Sequence, residues 1–497
     1  MRKKNSIINF ITNFLPYFFV AILGFVRVKV FLYGLGESLS SLNQVFNNIF
    51  AYLAIAESGI GLFIGQKYYK LLIDNNYKQI NKNYKASKVF FNSLALVIVA
   101  LGFVVSFFLQ YITNNDLNTI YMQIVFMLFL LKNSVDFFMY APKMIINADQ
   151  KMYKVNILIN IAKIVEIVSE ILLIKLGYDY IVLLCVGFIV RILFNLIINK
   201  KIFKLYPWLN DKEEFSKDFL KGAKNIIYQK ISGLINNNTD VLLISAFLNP
   251  TLVIVYTSYN YITKYIDDIT FMMMSSVQPS LGNALYKENK SDSYNILNQI
   301  NVLFFFIASI CTSLVIILIN PFISLWVGDK YVIGEFGKYL FGILLFIKIS
   351  NRTMLTVKDN LGYFKETKNI LIIEAILNVL ISVLLVNKFG IIGVLIGTIV
   401  STTLTSFWKI PKFVINTFFE QKSIKYFVNY FISFISFMLI TYVLDSFTII
   451  QTTSYMTWLC NAVLYSILVL LITFIEYYIL FPDFKNVVHN LKEFRNK

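Results

Sequence analysis

Apolar stretches of about 20 residues recur along this chain from end to end, each long enough to cross a bilayer core of about 30 Å as a helix. In lipid every backbone N–H and C=O must be satisfied within the segment, so such a chain folds as a bundle of spanning helices. Composition agrees: 57% of the residues are hydrophobic, 15% are charged, and mean hydropathy is +0.67. The expected class is an all-α integral membrane protein, with no soluble domain of useful size between the spans. The stretch from Phe10 to Tyr33 follows Arg2, Lys3 and Lys4 and imitates a secretory signal. It lacks a small-residue cleavage site and is too long, so it reads as a retained first span.

About fourteen spans fit the apolar runs. They begin near Phe10, Ser38, Val89, Thr119, Tyr153, Tyr180, Asn225, Thr251, Asn295, Glu335, Asn369, Ile391, Tyr426 and Thr457. Alternate connections are then strongly basic, among them Lys67 to Lys88, Lys200 to Lys224, Lys409 to Lys425 and the C-terminal tail, whereas the opposite connections hold Lys175, Lys330 and Lys388. Basic connections face the cytoplasm, which places both termini on the cytoplasmic side of the membrane. The formal charge of +17 is spread over these loops instead of one face, which argues against nucleic acid as a partner.

The chain also repeats itself. At the offset separating Asn147 from Asn360, Asn156-Ile157-Leu158-Ile159 meets Asn369-Ile370-Leu371-Ile372, and Lys175-Leu176-Gly177 meets Lys388-Phe389-Gly390. The same offset carries the first span onto the seventh, which implies a parallel repeat of six spans with a pathway between the copies. The expected domains are an N-lobe, 1–205, a C-lobe, 206–420, and a last pair of helices with a cytoplasmic tail, 421–497.

Ionisable residues inside spans mark candidate sites. Lys132 and Asp136 share a helix face, as do Lys163, Glu166 and Glu170, and their spacing favours local pairs. Asn236, Asn237, Asn238, Thr239 and Asp240 crowd the middle of one span, and Lys264, Asp267 and Asp268 lie in the next. Such density belongs in a watery cavity. Lys348 and Arg352 share a face with no acid beside them in their span, and Arg191 lacks a local partner. Together these predict a central cavity with a basic bias, suited to a phosphate or diphosphate that Arg binds through paired hydrogen bonds. The carboxylates are the candidates for carrying a proton or sodium ion. Cys185, Cys311 and Cys460 fall in spans and His489 in the tail, which argues against a disulfide framework or a Cys/His metal site, and no cofactor is expected beyond a coupling ion.

Several stretches carry a family resemblance: IAESGIG at 55–61 with the basic loop after it, NNTDVLLISAFL at 237–248, QPSLGNALYKEN at 278–289, PFISLWVGD at 321–329 and NKFGIIGVLIGTIVST at 387–402. In this order, from about Asn9 to Glu420, they resemble the bacterial polysaccharide repeat-unit flippases of the multidrug/oligosaccharidyl-lipid/polysaccharide exporter (MOP) superfamily. The resemblance implies a MATE-like fold, two six-helix lobes around a cavity plus two further helices, working by alternating access. It implies a substrate, an undecaprenyl-diphosphate-linked oligosaccharide moved to the outer leaflet, and a monomer without catalytic residues that meets polymerase and glycosyltransferases. Glu57 matches the acid of the second-span motif and Asp240 that of the seventh. The candidate set is therefore Arg27, Arg191, Lys264, Lys348 and Arg352 for the headgroup, with Glu57, Asp240, Asp267 and Asp268 for ion coupling or gating.

Three alternatives stay open. A drug/cation antiporter should have acids dominating its cavity, and a peptidoglycan-precursor flippase would share the lipid diphosphate. A membrane glycosyltransferase or polymerase needs a large exterior loop, and the exterior loops here are short.

Arg27 and Lys29 are two residues apart, hence about 200° around a helix, and need separate partners. Lys29 reads as an anchor reaching the external headgroups. Arg27 reads as the cavity-facing one, and the repeat makes Asp240 its counterpart and expected partner in a cross-lobe gate.

Overall fold

The computed structural model describes residues 2–54, 64–65, 67–214, 239–287, 289–447 and 450–495. Every regular element among them is helical. The chain divides into two compact units, Met1–Val253 and Ile254–Lys497.

In the first unit the long helices are α1 (Arg2–Leu53), α2 (Tyr77–Ser106), α3 (Thr119–Phe138), α5 (Tyr153–Lys175) and α6 (Tyr180–Leu205), with the short α4 (Ala141–Ala148) after α3. At 1.5 Å per residue, the 52 residues of α1 are far too long for one crossing. They are two spans joined at Gly36, whose φ of 83° and ψ of 172° break the helix at a single residue. Glycine has no Cβ to forbid that conformation, so the first two expected spans meet without a loop.

The second unit holds α7 (Pro250–Lys287, which begins in the first unit), α8 (Lys290–Trp326), α9 (Glu335–Ser350), α10 (Arg352–Asn360), α11 (Phe364–Phe389), α12 (Ile391–Leu404), α13 (Ser406–Phe418), α14 (Ile424–Asp445), α15 (Tyr455–Leu480) and α16 (Pro482–Arg495). The last pair of spans, α14 and α15, packs on α8. Thr441 donates to Ser313 at 2.7 Å, the Ser309 and Tyr477 hydroxyls are 2.8 Å apart, and Val469 is fully buried beside Ile317.

Ten of the helical segments among the described residues are long and apolar enough to cross a membrane. Fourteen spans were expected, and the difference has physical causes. Two are fused in α1, the one beginning near Asn225 starts outside the described residues, and α5 and α7 are made too polar by Lys163, Glu166 and Glu170 and by Lys264, Asp267 and Asp268.

The repeat is visible in backbone as well as sequence. α2 and α8 start at equivalent positions, 77 and 290, and α5 and α11 both end in glycines with positive φ, Gly177 at 81° and Gly390 at 57°. The Gly36 joint recurs at Asn249, where the helix over 239–247 has ended and α7 begins. This is an all-α, multi-pass membrane fold.

Candidate functional site

The first unit concentrates its charge between α1, α3, α4, α5 and α6. Lys132 on α3, with a side chain 5% exposed, lies 2.9 Å from Glu166 Oε1 and 3.3 Å from Glu170 Oε1 on α5. The other oxygen of Glu170 accepts from Arg27 Nε on α1 at 2.5 Å, and the Arg27 guanidinium lies over the Phe31 ring, 4.4 Å from its centre. Arg191 on α6 donates through Nε to both Glu166 oxygens, at 3.0 and 3.2 Å, and through Nη1 to Asn133 at 2.9 Å and Asp136 at 3.3 Å. Asn195, one turn after Arg191, donates to Asp136 at 2.7 Å and accepts from Lys143 Nζ of α4 at 2.6 Å.

A residue without a side chain makes this possible. A Cβ at Gly187 would lie 3.0 Å from Lys132 Cδ and 3.6 Å from both Lys132 Nζ and Glu166 Oε1, so glycine lets α6 close over the ion pair without pressing on the lysine stem. Charges in this position are tolerated because each finds a partner within the bundle.

The cluster opens onto a cavity of about 360 Å³ lined by Asp136, Lys143, Lys163, Glu166, Arg191 and Asn195, with Tyr140, Phe194 and Ile198 among its other walls. That volume lies at the lower end of the usual range for ligand pockets. Lys163, an exposed residue of α5, is in none of the ion pairs among the described residues. Five cations (Arg27, Lys132, Lys143, Lys163 and Arg191) stand against three carboxylates (Asp136, Glu166 and Glu170), a formal excess of two positive charges. At the repeat offset the counterparts of Lys132, Asp136, Glu166, Glu170 and Arg191 are Leu345, Ile349, Val379, Val383 and Leu404. At these five positions the second copy is apolar where the first is charged, whereas Arg27 meets Asp240 and Lys143 meets Thr356.

These contacts correct several expectations. Arg27 is held by Glu170, not by Asp240. Asp240 is buried, one residue from Thr239, whose hydroxyl lies 2.5 Å from that of Tyr52. Lys132 and Asp136 do not pair with each other although they share a turn spacing. Lys132 reaches α5 and Asp136 reaches α6, each meeting its partner on a neighbouring helix. Arg191 has its acids on other helices.

In the second unit, Arg352 pairs with Asp267 of α7, and its guanidinium lies 5.4 Å from the centre of the Phe271 ring. The absence of an acid within its own span therefore did not leave it unpaired. Its Nε is buried without a hydrogen-bond partner. Lys348 is half-buried and in none of the described ion pairs, Lys264 is exposed, and Asp268 is half-buried. Glu57, with Asn236 to Asn238, lies outside the described residues. Lys143 and Asn195 were missed from sequence. The available signal was the i+4 spacing of Arg191 and Asn195, the same spacing used for other pairs.

No family model and no curated protein matches this sequence. Solved structures do match. A lipid II flippase, MurJ, in an inward closed conformation is 17% identical with a TM-score of 0.64, over 94% of this chain and 99% of that one. An inward-facing multidrug resistance MATE family transporter of the MOP superfamily is 13% identical with a TM-score of 0.65, over 78% of this chain and 93% of that one. A MATE transporter of Vibrio cholerae is 13% identical with a TM-score of 0.58, over 84% and 99%. At such identities the likeness establishes the fold, which this chain shares with the MurJ and MATE transporter structures.

Proposed function

We propose that this chain is a flippase that moves a lipid-diphosphate-linked oligosaccharide, the repeat unit of a surface polysaccharide, from the inner to the outer leaflet of the bacterial cytoplasmic membrane. The observation that carries this reading is the excess of two cations over carboxylates in the first unit's charge cluster, of whose members Lys143, Lys163 and Arg191 line the cavity with Asp136 and Glu166. A diphosphate diester has one ionised oxygen on each phosphorus, so its charge matches that excess. An excess of charge within the membrane-spanning part is costly unless a counter-charge joins it, and a sugar-diphosphate cannot cross hydrocarbon without a substitute for its hydration.

Arg191, Lys143 and Lys163 are placed to meet the diphosphate, with Arg27 behind them through Glu170. In the second unit Lys348 and Arg352 are the headgroup candidates, with Lys264 at the periphery. Asp240, Asp267, Asp268 and Glu57 are the candidates for a coupling proton or sodium ion. The lipid tail stays in the bilayer, and both termini face the cytoplasm as the basic loops require.

A second reading has its own support. The similar structure titled a lipid II flippase makes a peptidoglycan precursor, with the same diphosphate linkage, the nearest alternative. A cation exporter fits less well, because bases outnumber acids at the cavity. In a strain lacking the gene, Lys143→Ala, Lys163→Ala and Arg352→Ala are expected to insert normally and to impair export of surface polysaccharide. Normal export by all three refutes the site assignment. Translocation in liposomes of defined lipid-linked glycans separates the repeat unit from the precursor.

A further inference from the structure

The first unit's charges fall into two tiers. Lys132 and Glu170 have side chains 5% and 2% exposed, and Glu166 one 12% exposed, each with more than one partner or a buried one. Asp136 differs: its side chain is 44% exposed, it lines the cavity, and its hold on Arg191 is a single 3.3 Å contact. Arg191 does not need that contact to stay in place. Its Nε is fixed by both oxygens of Glu166 and its Nη1 by Asn133. Asn195 holds the other oxygen of Asp136 and at the same time accepts from Lys143, so the carboxylate hangs beside the two cations that an entering anion would seek.

A carrier must release what it binds. Where cations outnumber carboxylates around the cavity, a diphosphate would dissociate slowly, and slow release limits turnover. We propose that Asp136 is a built-in competitor for the ligand's phosphate at Arg191. Its carboxylate occupies the Nη1 edge of the guanidinium in the empty site, yields it to a phosphate oxygen when the ligand enters, and returns to help expel the ligand. The anchored Nε edge keeps the guanidinium oriented throughout, so one side of Arg191 is structural and the other exchangeable. The proposal rests on the anionic-headgroup reading above, and it assigns Asp136 a role that a residue merely holding helices together would not have.

The test uses the full chain in nanodiscs and geranyl diphosphoryl-N-acetylglucosamine as probe, a diphosphate diester that stays fully ionised near neutral pH. Asp136→Asn keeps an oxygen for the Asn195 amide while removing the charge. It is expected to bind the probe about tenfold more tightly, through slower dissociation, and to flip it more slowly in liposomes. Asp136→Ala should also bind more tightly, and Asp136→Glu should return affinity and release to the wild-type values. A structural loss would instead weaken binding. Wild-type binding with no gain in either neutral variant overturns the competitor role and leaves the substrate reading standing. Failure of the wild-type protein to bind the probe overturns both.

Discussion

Lys132→Met tests whether the charge cluster holds the first unit together. The substitution keeps a flexible side chain of similar length beside Gly187 and removes contacts of 2.9 Å to Glu166 and 3.3 Å to Glu170. Breaking a buried pair by removing one partner costs about 3–5 kcal/mol. Here Glu166 keeps Arg191 and Glu170 keeps Arg27, so the loss belongs at the lower end, about 3 kcal/mol. With about 2–4 °C per kcal/mol for a unit of this size, the apparent Tm should fall by roughly 6–12 °C.

The decisive comparison is the cycle with Glu166→Gln. If the two side chains act on each other, the double variant loses less than the sum of the singles by about 1–3 kcal/mol, because neither charge is left facing an absent partner. Thermal unfolding of the four proteins in one detergent, followed by intrinsic fluorescence, provides the measurement. Strict additivity, or a Tm change of less than about 1 °C for Lys132→Met, would refute the reasoning. It would mean that the lysine reaches water and needs no carboxylate.

Two further outcomes follow from close packing. Gly187→Val places a side chain where a Cβ alone already comes within 3.0 Å of Lys132, so it should cost about 1–3 kcal/mol and weaken binding of the diphosphate probe; wild-type Tm and affinity would show that α6 can shift. Lys338→Met removes a buried contact of 2.8 Å to Asp445 that ties α9 to the end of α14. Limited proteolysis should then cut the connection after Asp445 faster, and an unchanged cleavage rate would count against that tie.

The helices and the repeat were legible because both are written in period and spacing. Apolar runs have to match the bilayer, and Gly177 and Gly390 mark equivalent helix ends in both copies. The site was legible as residue types but not as pairs. Lys132 and Asp136 look like mutual partners at i+4, yet each turns to a different helix, and nothing in one strip of sequence says which neighbour will lie nearer. Arg27 and Arg352 taught the same lesson: a cation alone in its span is answered by an acid more than 80 residues away in sequence, Glu170 or Asp267. Gly36 was a further limit. A single glycine reads as an ordinary short turn, and only its backbone angles show two spans sharing one joint.

The bond between Arg27 and Glu170 has a consequence for biogenesis. A ribosome makes the arginine 143 residues before the glutamate that answers it. An unpaired arginine opposes insertion by up to about 2.5–3.5 kcal/mol, the value at a span's centre, and Arg27 lies between the centre and the outer end of its span. During that interval α1 has no carboxylate of α5 to meet, and Arg191 is added after both. The apolar residues of the same span offset that cost, so α1 can enter lipid first, yet its arginine gains the carboxylate it is paired with only after residue 170 has been made.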